Sequence, residues 1–330
     1  MTQSILARVQ PEQVTLVIEG WNAHDLESER LFTRSLESIR RQSYPVGRCT
    51  VIIIVEAGTA PAELSRMQAI LPMARFLQVP APTYYRFKNK GLAAATGEYV
   101  VFADSDVHYA EEWLDNLLGC FSDTVDLVAG NTLYERGLFA RTLSLCDWGA
   151  TRLDSGPTNW FYGNNVAMRR RLYERIRFRD DLGTSGGGAV NVLREQLEAL
   201  GVQPWFCAEA KGWHHLAPFF TKRMRVGGYQ IAFRRRAPET AWSWLAQLPI
   251  LAPFLVTAGT AIRACQRAWR LRSTLPGRGA TLPFYLVAIT AVKAVEWCGA
   301  ALVAWMPGYV NRRFGWFEVP PESGDAPQPA

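Results

Sequence analysis

Two aspartates one residue apart, Asp104 and Asp106, close the apolar run Tyr99-Val-Val-Phe-Ala. A buried strand ending this way puts both carboxylates at its carboxyl end, where a turn can aim them at one hard cation. Left alone, the two charges repel. A divalent metal removes that repulsion and can also neutralise a diphosphate as it leaves. The same pair could instead cap a helix starting near Ala110, so the elements around it decide between the readings.

Those elements alternate in type. Val14 to Ile18, Val51 to Val55, Phe76 to Val79, Tyr99 to Ala103 and Leu127 to Ala129 are short runs of β-branched or large apolar residues, the pattern of strands covered on both faces. Between the first two, Phe32, Leu36 and Ile39 share one helical face, and after the fourth Trp113, Leu117 and Phe121 do the same. This predicts an α/β fold with a mostly parallel sheet, helices on both faces and ligands at the carboxyl ends of the strands. Further on, Val190, Leu193, Leu197 and Leu200 predict a helix over 190–200 stopped by Gly201.

Set in order, these segments resemble family 2 glycosyltransferases. The resemblance is carried by Val14-Thr-Leu-Val-Ile, by Leu36-Glu-Ser-Ile-Arg-Arg-Gln-Ser-Tyr-Pro45 and by Val51-Ile-Ile-Ile-Val-Glu-Ala-Gly58-Thr59. It continues through Phe87-Lys-Asn89-Lys-Gly91 and Ala95-Thr-Gly97-Glu-Tyr-Val-Val-Phe-Ala-Asp-Ser-Asp106, is specific to about Asp106, and is looser to about Arg236. It implies the GT-A fold, a nucleotide-diphosphate sugar donor, Mg²⁺ or Mn²⁺, and inverting transfer of hexosyl type. Carried over by position, Glu56 would contact the nucleobase, with Glu19, Trp21 and Asn22 lining the same pocket. Asn89, Lys90, Asp104 and Ser105 would lie along the donor, and Asp104 and Asp106 would hold the metal. Tyr162-Gly163-Asn164-Asn165 resembles the family's Gly-Asn segment beside the sugar or acceptor, with a buried turn as the plainer reading. His214, in Lys211-Gly-Trp-His-His215, matches a histidine near the diphosphate or metal, although a packed core histidine fits the sequence as well.

Departures from the family pattern bear on the chemistry. The first strand ends Ile18-Glu19-Gly20, where the family has Pro-Thr or Pro-Ala. After Phe178-Arg-Asp180-Asp181-Leu182 the family's Glu-Asp pair is replaced by Ser185-Gly-Gly-Gly-Ala-Val-Asn191, and that pair supplies the general base. Asp180 and Asp181, just upstream, are the carboxylates left for that role. A chain without a base would be a nucleotide-sugar-binding partner protein, the alternative to an enzyme. A nucleotidyltransferase would carry a Gly-rich basic loop after the first strand, and Glu19-Gly-Trp-Asn-Ala-His-Asp25 is not one.

Composition excludes disorder, with hydrophobic residues at 48% and charged residues at 20% of 330. The net charge of +6 is concentrated late: between Phe219 and Ala280 there are eleven Lys or Arg residues and one acid, Glu239. Interleaved with apolar runs, that charge fits a membrane surface and not a nucleic acid. Six scattered cysteines form no CxxC pair, which fits a reducing compartment. No basic-then-apolar leader opens the chain, so the catalytic part is expected on the cytosolic side of the plasma (inner) membrane, facing a lipid-linked or polysaccharide acceptor. Ala241 to Ile262 and Leu282 to Met306 are candidate membrane segments. Arginines flank both and fill the loop between them, which favours a re-entrant or interfacial arrangement over a two-span hairpin. Lys293 and Glu296, three apart on a helix, are placed to pair or to face a protein interior. The expected divisions are 1–236 for the GT-A domain, 237–315 for a membrane-associated helical region, and 316–330 for a disordered tail.

Overall fold

Strands of unbroken apolar residues need cover on both faces, and the sheet receives it. The computed structural model describes residues 9–20, 26–80, 83–134, 137–147, 154–159, 161–180, 188–215, 219–236, 243–248, 250–275 and 279–314. In chain order the elements are β1 (Val14–Glu19), α1 (Leu26–Arg40), β2 (Thr50–Glu56), α2 (Pro61–Ile70), β3 (Arg75–Val79), α3 (Tyr84–Ala94), β4 (Tyr99–Asp104), β5 (Val107–Tyr109), α4 (Trp113–Leu118) and β6 (Leu127–Tyr134). There follow α5 (Leu138–Asp147), β7 (Gly156–Pro157), β8 (Asn165–Arg169), α6 (Arg170–Tyr173), α7 (Gly188–Ala199), β9 (Trp205–His214), α8 (Phe219–Arg236), α9 (Ala252–Arg270), α10 (Leu282–Trp305) and α11 (Pro307–Phe314).

The strands form one sheet in the order β3-β2-β1-β4-β8-β6-β9-β5, with β7 paired to β9. From β3 to β4 every pairing is parallel, as the strand-helix alternation predicts. Beyond β4 the sheet is mixed: β8 runs antiparallel to both β4 and β6, and β6 and β9 are parallel. The mostly parallel sheet expected from the sequence is thus present, and its antiparallel part arises where β8 inserts between β4 and β6. Alternate residues feed two cores. Leu16, Ile18, Ile53 and Val101 pack under α1 and α4, while Val17, Ile52, Ile54 and Phe102 meet α3 and α7. The second core runs on without a break into Tyr229, Phe233, Val256, Ala300 and Val303, so both sides of the division expected at residue 236 contribute to one interior.

Gly201, at φ 66°, ends α7 in the left-handed conformation expected of a helix-stopping glycine. The apolar run 241–262 is not one helix. Residues 243–247 form a 3₁₀ turn, and α9 begins with Pro253 in its first turn, where a proline's missing N–H costs nothing. Among the described residues one helix, α10, is long and apolar enough to cross a membrane. The tail from 316 lies outside the described residues.

Helices α8 and α10 cross at two glycines. A Cβ on Gly227 would run into the carbonyl oxygen of Glu296, and one on Gly299 into that of Met224. This close approach buries Arg223, which donates to both oxygens of Asp147 at 2.6 and 2.7 Å and to Glu296 at 3.2 Å. Lys293 completes the network at 2.7 Å from Glu296. The lysine and glutamate thus pair in the protein interior. Tyr134 on β6 donates to Asp147 at 2.6 Å, joining the network to the sheet. Burial pushes the Asp147 carboxyl up, but the Arg223 guanidinium outweighs it and holds the carboxyl down to about 2.

Gly299→Val should lower stability by about 2 kcal/mol or more in thermal unfolding, because neither backbone can retreat. Asp147, whose folded pKa lies below the unfolded value of about 3.9, stabilises the fold fully above that value and loses the contribution as pH falls toward 2. Asp147→Asn should therefore flatten the dependence of stability on pH across that window.

Candidate active site

The parallel half of the sheet ends its strands on one edge, where β1 and β4 pair through Glu19 and Asp104. Asp104 is buried and fully engaged. Its Oδ1 lies 2.7 Å from the ammonium of the fully buried Lys88, and its Oδ2 accepts from the Tyr84 hydroxyl at 2.7 Å. Both partners come from α3, four residues apart on one face. Burial raises the Asp104 carboxyl above the usual range, with the Lys88 charge acting against it. The backbone at Asp104 is fixed too: its N–H donates to the Tyr109 hydroxyl at 2.9 Å and its carbonyl accepts from Ser35 of α1 at 2.9 Å.

Asp106 sits one turn further out. Its Oδ2 is 3.2 Å from Nε2 of His214, the last residue of β9. Its Oδ1 is buried and, among the described residues, has no hydrogen-bond partner, and the Ser105 hydroxyl is likewise without one there. The ring of His214 is oriented by a contact of 2.7 Å between its Nδ1 and the His215 carbonyl. Burial lowers the His214 pKa, opposed by the Asp106 charge, so a neutral imidazole is favoured, the form that ligates metals. Lys222 of α8 lies over the Tyr134 ring at 5.8 Å, and its ammonium is lowered by burial against the pull of Asp106 and Asp147. Tyr134 in turn meets the His214 ring edge-on at 5.6 Å.

The three expected metal ligands are therefore divided. Asp106 and His214 stand together, while Asp104 turns to Lys88 and Tyr84, and among the described residues no three His, Cys, Asp or Glu side chains form a ready cluster. Asp106 and His214 do fit a divalent cation: a buried carboxylate oxygen with no donor is a hard ligand awaiting one, and an imidazole beside it is a common second.

Alongside, at the ends of β1 and β2, a cleft of about 240 Å³ is lined by Gly20, Glu56, Gly58, Thr59, Glu63 and neighbouring residues. Glu56 is exposed there, with Gly58 at φ 93° turning the chain after β2. Glu19 is fully buried and does not line that cleft; its charge acts instead on Tyr84 and Tyr109, beside Asp104. Trp21, Asn22 and Asp181 lie outside the described residues.

Other expected contacts are used inside the fold. Asn89 accepts from Phe178 N at 3.0 Å, donates to its carbonyl at 2.8 Å and reaches Asp180 at 3.3 Å, clamping the strip that carries Asp180. Lys90 is exposed on another face of α3. Asn164 accepts from Thr132 at 3.0 Å, and Asn165 bridges Trp113 at 2.8 Å and Ala210 at 3.1 Å. Gly163 is different: a Cβ there would press on the Lys88 side chain at 3.3 Å and approach the Tyr84 hydroxyl at 3.7 Å, so the glycine leaves room above the buried ion pair. Sequence reasoning missed Lys88, Tyr84 and Lys222. The four-residue step from Tyr84 to Lys88 is the signal that could have found the first two, whereas Lys222 carried none.

Comparison with known proteins bears on the family and the fold. Residues 26–177 match the family described as glycosyl transferase family 2. No curated protein matches. Among solved structures the chain is similar to the mannosyltransferase PcManGT from Pyrobaculum calidifontis in complex with GDP-Man and Mn²⁺, at 19% identity and TM-score 0.58, covering 89% of this chain and 87% of that one. It is also similar to S. aureus TarS 1-349, at 14% identity and TM-score 0.48, covering 86% and 90%. The chain carries a family 2 glycosyltransferase domain in a GT-A fold.

Lys88→Met should destabilise the protein by about 3 kcal/mol, since it strands a buried carboxylate. Lys88→Met with Asp104→Asn should recover most of that loss in chemical denaturation.

Proposed function

We propose that this glycosyltransferase moves a sugar, with inversion and with help from a divalent cation, from a nucleotide-diphosphate sugar to a lipid-linked or polysaccharide acceptor at the cytosolic face of a membrane. The observation that carries the reading is the unpartnered, buried Oδ1 of Asp106 beside His214, at the strand edge next to the Glu56 cleft. A likeness in fold to a protein solved with GDP-Man and Mn²⁺ supports the same class of donor and ion.

The roles follow from the charges. Glu56 and the loop after β2 receive the nucleoside, with Gly20 and Gly58 keeping the walls low. Asp106 and His214 would hold Mg²⁺ or Mn²⁺, whose charge stabilises the diphosphate as it separates from the sugar. Lys222 adds a second cation on the same side. Asp104, already neutralised by Lys88, fixes the turn that presents Asp106. Asp180, held by Asn89, is the described carboxylate available to take the acceptor proton.

Asp106→Asn should lower kcat/KM for donor turnover by on the order of 100-fold, with Lys88 and the fold intact. His214→Ala should weaken Mn²⁺ activation in the same assay. Unchanged turnover in Asp106→Asn, or equal rates with and without Mn²⁺ in the wild type, would remove the metal from this account. Tight nucleotide binding with no turnover across a panel of donors and acceptors would instead identify a binding protein.

A further inference from the structure

Helices α9 and α10 both present large apolar side chains on their outer faces. A helix that packs on a protein and faces water turns its large apolar residues inward. On α9 the buried positions are mostly small, Ala252, Ala264 and Ala268, whereas Phe254, Ile262 and Trp269 point outward, the last two 57% and 58% exposed. α10 buries large apolar residues too, Tyr285, Ile289 and Val292, yet it departs from a water-facing helix in where its charges lie. Its two ionisable residues, Lys293 and Glu296, are buried and paired, while Phe284, Cys298 and the 71%-exposed Val287 face out with no charge among them. Among the described residues, fourteen of the seventeen exposed large hydrophobic side chains fall between Phe220 and Phe314, so they are concentrated in the C-terminal helices. Small residues in the seam, ions inside and large apolar groups outside are the arrangement of helices in contact with hydrocarbon.

Charge and packing select the geometry of that contact. The two helices run side by side in opposite directions: Phe254 near the start of α9 meets Trp297 near the end of α10 at 5.3 Å, and Ala264 and Ala268 pack with Leu282 and Tyr285 at the other end. Exposed arginines stand at both ends, Arg270 and Arg272 at one, Arg312 and Arg313 at the other, with Arg263 exposed between them on α9. Two basic ends suit one anionic headgroup layer, not two opposite faces of a bilayer. The middle of α10 is also fastened to the catalytic domain through Gly227, Gly299 and the Arg223–Asp147–Glu296 network, and Asp147 bonds Tyr134 beside His214. A crossing α10, about 36 Å long, would place those polar groups at the centre of the hydrocarbon, where they would lose every water partner.

We infer that α9 and α10 form an in-plane docking face for an anionic bilayer, so that α10 lies along one leaflet and holds the catalytic edge at the lipid surface. The inference rests on the membrane part of the proposed function and narrows its acceptor to one carried by lipid. The face is wide and its arginine rim complements phosphate headgroups, which is why a bilayer, and not a second copy of the chain, is the occupant.

The test uses the full chain and vesicles of phosphatidylcholine with or without phosphatidylglycerol. Wild type should float with the anionic vesicles and bind them at least tenfold more tightly than phosphatidylcholine alone. Ile262→Asp with Val287→Asp should cut that binding more than tenfold while leaving nucleotide binding by calorimetry unchanged. Depth is read from an environment-sensitive label on Cys298 or on Val287→Cys, each in a chain whose other cysteines are alanine. The two labels should lie at equal depth. A difference of about 16 Å, the rise along eleven helical residues, would mean that α10 crosses the bilayer and would overturn the inference. So would absence of vesicle binding, or a soluble dimer that Ile262→Asp with Val287→Asp dissociates. Transfer to a soluble acceptor analogue, measured on the same proteins, separates this inference from the enzymatic reading: intact docking without transfer sinks the latter alone.

Discussion

The site depends on a buried ion pair. Asp104 and Lys88 lie under the edge of the sheet at 2.7 Å, with Tyr84 on the second carboxylate oxygen. Two acids one residue apart could not both remain charged in so enclosed a place without a cation. The protein supplies one of its own to the first acid and leaves the second, Asp106, with an oxygen that no group among the described residues satisfies. One carboxylate therefore builds the turn while the other is available for chemistry. Gly163 and Tyr109 serve the same division, the glycine by leaving space above Lys88 and the tyrosine by fixing the Asp104 backbone.

From that edge a chain of contacts continues outward, one of them between rings and the rest polar. His214 meets Tyr134, Tyr134 donates to Asp147, and Asp147 is gripped by Arg223, which also reaches Glu296 on α10. Hydrogen bonds in a low-dielectric interior fix position strongly, because breaking any one leaves its partner unsatisfied. Arg235 adds a second tie by donating to the last carbonyls of α10 at 3.3 Å, where a helix end favours a cation. The C-terminal helices are thereby held in one orientation relative to the catalytic edge.

Much of this was legible in the sequence, for identifiable reasons. The runs at Val14, Val51 and Tyr99 read as strands because a sheet covered on both faces has no polar alternation to confuse the pattern, and all three formed. Lys293 and Glu296 read as a buried pair because nothing else explains two charges in so apolar a helix. Position-by-position resemblance was less informative. Asn89, Asn164 and Asn165 stand where the family motif puts them, yet their amides are used on Phe178, Thr132, Trp113 and Ala210. The burial of Lys88 left no mark in the sequence, because spacing gives the face of a helix but not what covers it. The mixed half of the sheet was hidden for a similar reason: β8 and β9 are paired by long-range contacts that leave no local period.

The central claim, that Asp106 and His214 present a divalent-cation site to a nucleotide diphosphate, is most directly tested by diffraction at the manganese absorption edge on crystals soaked with Mn²⁺ and a nucleoside diphosphate. The account predicts an anomalous peak within coordination distance of Asp106 Oδ1 and His214 Nε2, with the base in the cleft beside Glu56 and the Lys88–Asp104 pair unbroken. A nucleotide bound in that cleft with its manganese held elsewhere, and Asp106 still bare, would contradict it.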